Sequence, residues 1–392
     1  MALEKVSWPD YHGGSIVNLM SSISTYLDWP SEYVPLAQLP VEDFEGVTNV
    51  VLLVLDGVGY DFLQQYGQGC ALLQDLRSEM TSVFPTTTAA AMSAIYSGLA
   101  PQNHGVPGWY TYLRELGLVA TILPMIARGT GRSFLSRYVH PDRILDAPSL
   151  FDNINADGYV LLPRELQNSA YNQIFAGSAR QIGYRNMPDF FGFISKIITR
   201  HLSPKFVLGY WPEFDSIAHK AGPNSVAAQD HFHSIDAAFA KFVDGLSTSG
   251  GKSKIIVTAD HGFIEGVPDH AILLKNHPEL EECLAVPLCG EPRAAFCYVR
   301  PSKVVQFEEY VQNNLAQACS LIKSEDLIAQ GRFGLFNAHP RLFDRVGDYV
   351  LLMKDNFVVK DELVGEKHEE LVGFHGGVSS AEMFVPLIIR DV

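Results

Sequence analysis

Several side chains in this sequence are of types that bind divalent cations, and a run of threonines lies among them. Asp215 and His219 stand four residues apart, a spacing that puts two side chains on one face of a helix, able to share a metal. The ordinary alternative is an aspartate capping a helix start, with an exposed histidine one turn on. Thr258-Ala259-Asp260-His261-Gly262 places adjacent Asp and His after an apolar run, with a glycine that permits a tight turn. A hydrogen-bonded turn is the plain reading of that segment. Phe84-Pro85-Thr86-Thr87-Thr88 is followed by small helix-forming residues up to Gly98. That pattern sets a hydroxyl at a helix N-terminus, where unpaired backbone N–H groups favour an alkoxide or a bound phosphoryl group. Its commoner use is a threonine N-cap.

Considered jointly, these segments imply more than any one of them alone. Asp56, Asp215, His219, Asp260 and His261, with His375 from Gly373-Phe374-His375-Gly376-Gly377, supply six O or N ligands. Two divalent sites of three protein ligands each, with positions left open for nucleophile and substrate, suit metal-assisted phosphoryl transfer. Three carboxylates and one alkoxide carry four negative charges, which two divalent ions would balance. Such a pocket accepts a small anionic phosphoester despite an acidic exterior.

The exterior is acidic: 44 Asp and Glu against 29 Lys and Arg give a net charge of -15. This surface repels polyphosphate backbones, so duplex nucleic acid is not an expected partner. The apolar run Val50 to Leu55 is among the longest and falls far short of a membrane span, so no membrane association is expected. The opening 30 residues contain Glu4, Asp10 and Asp28 without a continuous apolar stretch, so no secretory leader is expected. Five cysteines without metal-ligand spacing read as reduced, buried thiols, and the chain as cytoplasmic.

The elements that must position these residues follow an α/β pattern. Asn49 to Leu55, Lys205 to Trp211, Lys254 to Thr258 and Phe384 to Ile389 are short apolar runs that read as strands buried on both faces of a largely parallel sheet. Pro386 in the last predicts an edge position or a strand end. Residues 226–246 carry apolar positions at helical spacing and predict a long amphipathic helix. The aspartate motifs follow the first three runs, at the rim where loops of a parallel sheet converge on ligands. Residues 263–371 contain their own predicted strand (294–299), helix (304–317) and strand (348–353), and read as an inserted α+β cap. The catalytic core is then 1–262 with 372–392.

In motif content and order the sequence resembles the alkaline phosphatase superfamily, in particular its type I phosphodiesterase/nucleotide pyrophosphatase branch. The matching pieces are Val54-Leu55-Asp56-Gly57, Phe84 to Gly98 with Pro101 to Gly105, Tyr210 to Pro223, Thr258 to Gly262, and Phe374 to Gly377. The resemblance implies an alkaline phosphatase-like core with a mostly parallel sheet flanked by helices, plus the smaller cap. It implies two metals, most often zinc, with manganese, iron or cobalt as alternatives. Asp56, Asp260 and His261 would hold one, and Asp215, His219 and His375 the other. Thr88, ten residues before Gly98, matches the nucleophile and would also meet the metals. The implied activity is hydrolysis of a phosphodiester or pyrophosphate in a small substrate, nucleotide-like or otherwise, through a phosphothreonine. Phosphonoacetate hydrolases share the layout, so phosphonate or phosphomonoester cleavage is the alternative. A metal-containing binding protein without catalysis is a third, which the complete ligand set and Thr88 argue against.

One departure stands out. The family's phosphate-contacting asparagine is expected near Trp109, and none is there. The Trp109 indole, the Tyr110 hydroxyl or backbone N–H groups are the candidate replacements, since losing such a donor costs on the order of 10²–10³ in rate. Trp109, Tyr110, Tyr112, Tyr210 and Trp211 are candidates for stacking a base or lining an apolar subsite, with ordinary packing as the alternative. His104, His231, His233 and His270 are expected to be structural or exposed.

Overall fold

The computed structural model describes residues 6–246, 251–366 and 370–392; the first five residues of the segment read for a leader lie outside these. Seven strands form the main sheet, in the order Leu76–Thr81, Phe384–Asp391, Ser253–Thr258, Asn49–Leu55, Lys205–Trp211, Asp157–Pro163 and Arg180–Tyr184. Neighbours pair in parallel except Phe384–Asp391, which runs antiparallel to the strands on both its sides. The three central strands are buried at every position, which is why their middles are continuously apolar instead of alternating, with polar residues such as Asn49, Lys205 and Lys254 confined to the ends.

Phe384–Asp391 is second from the edge, so of the two positions expected from Pro386, an edge or a strand end, it is the second that the proline approaches, as the third residue of the strand. The proline is accommodated because pairing with Ser253–Thr258 begins only at Ile388, and Pro386 pairs on the other flank alone, with Glu79. The long helix spans Val226–Asp244, opened by Ser225, whose side chain accepts from the Ala228 N–H. It buries Ala228, Phe232, Ile235, Phe239 and Phe242 and packs against helices Met187–Ile198 and Glu213–Ala221. Together with helices Ile16–Tyr26 and Thr88–Ser97, it covers the sheet and shares one hydrophobic core with it.

A second seven-stranded sheet is antiparallel, in the order Cys319–Lys323, Tyr349–Met353, Ala294–Cys297, Cys289–Glu291, Tyr110–Leu113, Leu118–Thr121 and Ile126–Ala127. Four strands fall within residues 263–371. The other three come from 110–127, outside the expected cap, and join through the Gly290–Tyr110 pair. Strand alternation then divides this sheet's residues between two cores. Ala295, Cys297, Leu351 and Met353 pack with Phe307 and Val311 of helix Val304–Asn314. Ala294, Phe296, Val350 and Leu352 pack on the other face with Phe84 and Phe333. Phe84 lies four residues before Thr88, so the second sheet reaches the threonine run through its own core.

Candidate active site

The main sheet sets the inner part of the site. Asp56 follows Asn49–Leu55, and Asp260 and His261 follow Ser253–Thr258, the adjacent strand in register Val54 to Thr258. The side chains of all three are at most 2% exposed. Gly262 is required next: a Cβ there would lie 2.0 Å from the Ala381 carbonyl oxygen. Asp215 and His219 sit in helix Glu213–Ala221, with His219 Nε2 3.3 Å from Asp215 Oδ1. Their side chains are 17% and 23% exposed. His375 follows the short strand Gly373–Phe374, which pairs antiparallel with Ile264–Glu265.

All three histidines are oriented alike. Each donates its Nδ1–H to a backbone carbonyl: His261 to Gly262 at 3.1 Å, His375 to Thr86 at 2.9 Å and His219 to Gly373 at 2.9 Å. This fixes the tautomer and leaves every Nε2 facing the cluster, the arrangement of metal-binding imidazoles. There, His375 Nε2 is 3.2 Å from His219 Nε2 and 3.8 Å from Asp215 Oδ1, and the His261 and His375 rings stack at 3.7 Å. His261 Nε2 is 3.4 Å from Asp56 Oδ1 and 3.5 Å from Asp260 Oδ2.

The carboxylates are arranged in the same sense. Asp56 Oδ1, Asp215 Oδ1 and Asp260 Oδ2 are buried without a hydrogen-bond partner. Their opposite oxygens are used in two cases. Asp56 Oδ2 accepts from the Tyr210 hydroxyl, and Asp260 Oδ1 accepts from the Gly57 and His261 N–H groups at 3.1 and 3.0 Å. Orphaned buried carboxylate oxygens are costly, and a divalent cation is the group that satisfies them and the Nε2 atoms together. Donor atoms lie within 4.8 Å of one another in two sets, Asp215 with His219 and His375, and Asp56 with Asp215 and His261. Asp215 thus belongs to both sets, and Asp260 flanks the second.

The electrostatics agree with that reading. Burial holds the Asp56 carboxyl well above the usual carboxylate range, and the charges of Asp260 and Asp215 add to the shift. Burial drives His375 far below an ordinary imidazole, helped by His261 and His219. Burial also acts to lower His219, but Asp215 and the Gly373 carbonyl outweigh it and the pKa is raised. The acids crowd one another, as do the imidazoles, and positive charge between them relieves the acids while using the neutral imidazoles as ligands.

Thr88 is the first residue of helix Thr88–Ser97, and the N-cap is Thr87, which makes no side-chain capping bond. The Thr88 hydroxyl is therefore not spent on a cap, and it lies 3.2 Å from His261 Nε2. Thr86 is used differently, as its hydroxyl donates to the Gly377 carbonyl at 2.9 Å and accepts from the Gly376 N–H at 3.1 Å. The three adjacent threonines thus have three surroundings.

A cavity of about 820 Å³ opens over the cluster, lined by Thr87, Thr88, Asp215, His219 and His375 on one side. Trp109, Tyr110 and Glu291 of the second sheet and its approach line the other. Of the candidate aromatics, Trp109 and Tyr110 line the cavity, with the Arg128 guanidinium 3.9 Å from the Tyr110 ring centroid. Tyr210 and Trp211 are core instead: Tyr210 supports Asp56, and Trp211 stacks on Tyr184 at 5.2 Å. Tyr112 packs edge-on against Tyr298.

The unassigned histidines lie outside the donor cluster, and His233 is exposed. His104 is fully buried, with burial lowering its pKa to about 3. His231 accepts from the Trp211 indole at 3.0 Å, and His270 stacks on Phe357 at 4.1 Å. His233 approaches Cys70 at 3.6 Å.

Glu291 has no counterpart in the motif reading. Its Oε1 accepts from the Trp109 N–H at 2.7 Å, so the backbone donor nearest the missing asparagine is already engaged. Burial pushes the Glu291 carboxyl up to about 7, against hydrogen bonds from Thr87 and Trp109. Arg293 and Glu382 are equally absent from the motifs. They form a buried pair at 2.9 Å, and Glu382 also accepts from the Gly377 N–H at 2.8 Å in the loop that carries His375. The signal was present in Glu291-Pro292-Arg293, two charges inside an otherwise apolar stretch.

A parallel sheet whose strand ends gather paired Asp and Asp/His donors around a helix-start threonine defines a hydrolase of the alkaline phosphatase superfamily. The sequence matches the Type I phosphodiesterase / nucleotide pyrophosphatase family over residues 50–377, and the chain belongs to that family. Among curated proteins, none matches it in sequence. Among solved structures, murine ectonucleotide pyrophosphatase / phosphodiesterase 5 is similar with a TM-score of 0.63 at 16% identity, over 86% of this chain and 87% of the other. An inactive variant of that protein in complex with AMP gives a TM-score of 0.61 at 16% identity, over 86% and 87%. Phosphonoacetate hydrolase from Sinorhizobium meliloti 1021 in complex with phosphonoacetate gives 0.62 at 17% identity, over 88% and 90%. Among the described residues, no helix is long and apolar enough to cross a membrane.

Proposed function

We propose that this phosphoester hydrolase cleaves a small phosphodiester or pyrophosphate, nucleotide-like in size, with Thr88 as nucleophile. The observation that carries the reading is the uncapped Thr88 hydroxyl at a helix start, 3.2 Å from His261 and beside two sets of converging donor atoms. Two divalent cations, zinc by the Asp/His donor set, would supply Lewis acidity and favour the Thr88 alkoxide. Asp215, His219 and His375 would hold one, and Asp56, Asp260 and His261 the other, with Asp215 close enough to share. Thr88 Oγ1 attacks phosphorus, the bond from phosphorus to the leaving oxygen breaks, and water then cleaves the phosphothreonine. The first N–H groups of helix Thr88–Ser97 point toward the phosphoryl oxygens as they gain charge. Trp109 and Tyr110 shape the space for the rest of the substrate.

The AMP-bound relative supports a nucleotide-like ligand. Cleavage of a phosphonate is the second reading, supported by a comparable likeness to phosphonoacetate hydrolase. Five free cysteines, all buried, support a reducing compartment, the cytoplasm. The test is a panel of bis(p-nitrophenyl) phosphate, p-nitrophenyl phosphate and phosphonoacetate, with protein loaded with zinc or manganese. Fastest turnover of the diester is expected, and rapid quenching should leave phosphate on Thr88 detectable by mass spectrometry. Preferential phosphonoacetate cleavage would replace the first reading by the second. Phosphate trapped on any other residue would move the nucleophile.

A further inference from the structure

We propose that Glu291 sets the charge selectivity of the phosphorus subsite, its buried carboxylate disfavouring doubly charged phosphoryl groups and admitting singly charged diesters. The inference rests on the phosphoester reading above and adds the substrate class. Its basis is placement. Glu291 ends strand Cys289–Glu291 and lines the same cavity as Thr88 and His375, with 6% of its surface exposed. The backbone is shaped to bring it there: Gly376, at φ 113°, follows His375, and a Cβ on Gly376 would lie 2.5 Å from the Glu291 Cβ.

Among the described residues no lysine or arginine forms an ion pair with this carboxylate, and the protein cation that acts on it is His219, which would be neutral as a metal ligand. Its partners are the Trp109 N–H and the Thr87 hydroxyl. The nearest arginine in sequence, Arg293, is committed to Glu382, and Arg128 in the cavity wall is committed to Glu366. Glu291 also senses the charges of His219 and Asp215, so its field reaches the reacting end of the cavity. Cations at the adjacent donors favour its ionised form. The balance of four negative charges against four positive ones then acquires a fifth negative charge. A monoanionic diester meets that excess once, whereas a monoester dianion or a phosphonate dianion meets it twice. The neutral donor expected in this place would not make that distinction.

Glu291→Gln is the informative substitution, because the amide oxygen can still accept from Trp109 while the charge is removed. The kcat/KM ratio of p-nitrophenyl phosphate to bis(p-nitrophenyl) phosphate should rise on the order of 10- to 100-fold, the scale of one unit charge several ångströms away at an effective dielectric near 20. A purely structural role would lower both substrates together and leave the ratio within about twofold of the parent, which would overturn the inference. Calorimetric binding of inorganic phosphate to the metal-loaded protein gives a second readout that needs no turnover. Affinity should rise in Glu291→Gln by a similar factor, and unchanged affinity would overturn the inference even in a variant too slow to assay. Failure of the unsubstituted protein on both esters would instead count against the proposed function, with phosphate binding still deciding the role of Glu291.

Discussion

The two halves of the donor cluster are built differently. Asp56, Asp260 and His261 hang from the ends of two hydrogen-bonded parallel strands and are almost wholly buried. Asp215 and His219 stand on the first turns of a helix, and His375 on a loop after a two-residue strand. The outer half is partly exposed and open to the cavity. Backbone N–H groups fix the inner carboxylate Asp260, while the outer imidazoles are aimed by carbonyls of Gly373 and Thr86. A site with one rigid half and one accessible half can keep a cation in place while substrate enters over the other. Where each half is anchored decides what breaks it.

The largest effect is expected between the halves. Thr88 touches His261 of the inner half and lines the cavity with His219 and His375. Thr88→Ala should cost at least on the order of 10⁴ in kcat/KM, while metal analysis still finds both ions. Loss of one ion together with activity would make Thr88 a structural ligand of the inner half instead of the nucleophile between two independent halves.

Next comes the anchor of the outer half. Glu382 accepts from the Gly377 N–H and pairs with buried Arg293, which also donates to the Phe357 carbonyl at 2.6 Å. The pair thereby ties the His375 loop to the second sheet. Arg293→Met leaves Glu382 buried and unpaired, at a cost of about 3–5 kcal/mol in urea denaturation. Among the described residues the inner half has no equivalent ion pair, so a loss below about 1 kcal/mol would mean that the two halves are not anchored as differently as their contacts indicate.

Thr86 is the smaller anchor of the same loop. Thr86→Val fills the space but strands the buried Gly376 N–H and Gly377 carbonyl, at about 1–3 kcal/mol for each group. The shift of His375 should weaken the outer ion first, read as faster loss of one equivalent to a chelator. Simultaneous loss of both ions would show that the halves act as one unit.

The same contrast explains what the sequence could reveal. The inner half was legible because continuous apolar runs mark buried parallel strands, and Asp56, Asp260 and His261 directly follow two of them. Asp215 and His219 were legible through helical spacing. Strand pairing across 110–127 and 289–297 was not, because Tyr110 meets Gly290 across 180 positions of chain and no local pattern encodes the partner. For that reason the second sheet crosses the expected cap boundary. Glu291, Arg293 and Glu382 were missed for a related reason: their roles depend on burial and on each other. Tyr210 and Trp211 read as candidate subsite aromatics because a strand-end aromatic looks the same whether it faces a cavity or the core.

The smallest expected effect concerns Tyr210 and tests the inner half alone. Its hydroxyl donates to Asp56 Oδ2, leaving Oδ1 toward the cluster. Tyr210→Phe preserves the packing and removes that donor, which should weaken inner metal binding about tenfold, the lower range for a residue supporting a ligand. The pH dependence gives the sign. The Tyr210 bond favours the Asp56 carboxylate against burial and the charges of Asp260 and Asp215, which raise its pKa. Removing the bond raises that pKa further, so the acid edge of metal retention should move to higher pH. Titrating bound metal against pH in the parent and the variant reads this directly. An unmoved edge would mean that Asp56 is held by the strand end alone, and that the rigidity of the inner half owes nothing to its second oxygen.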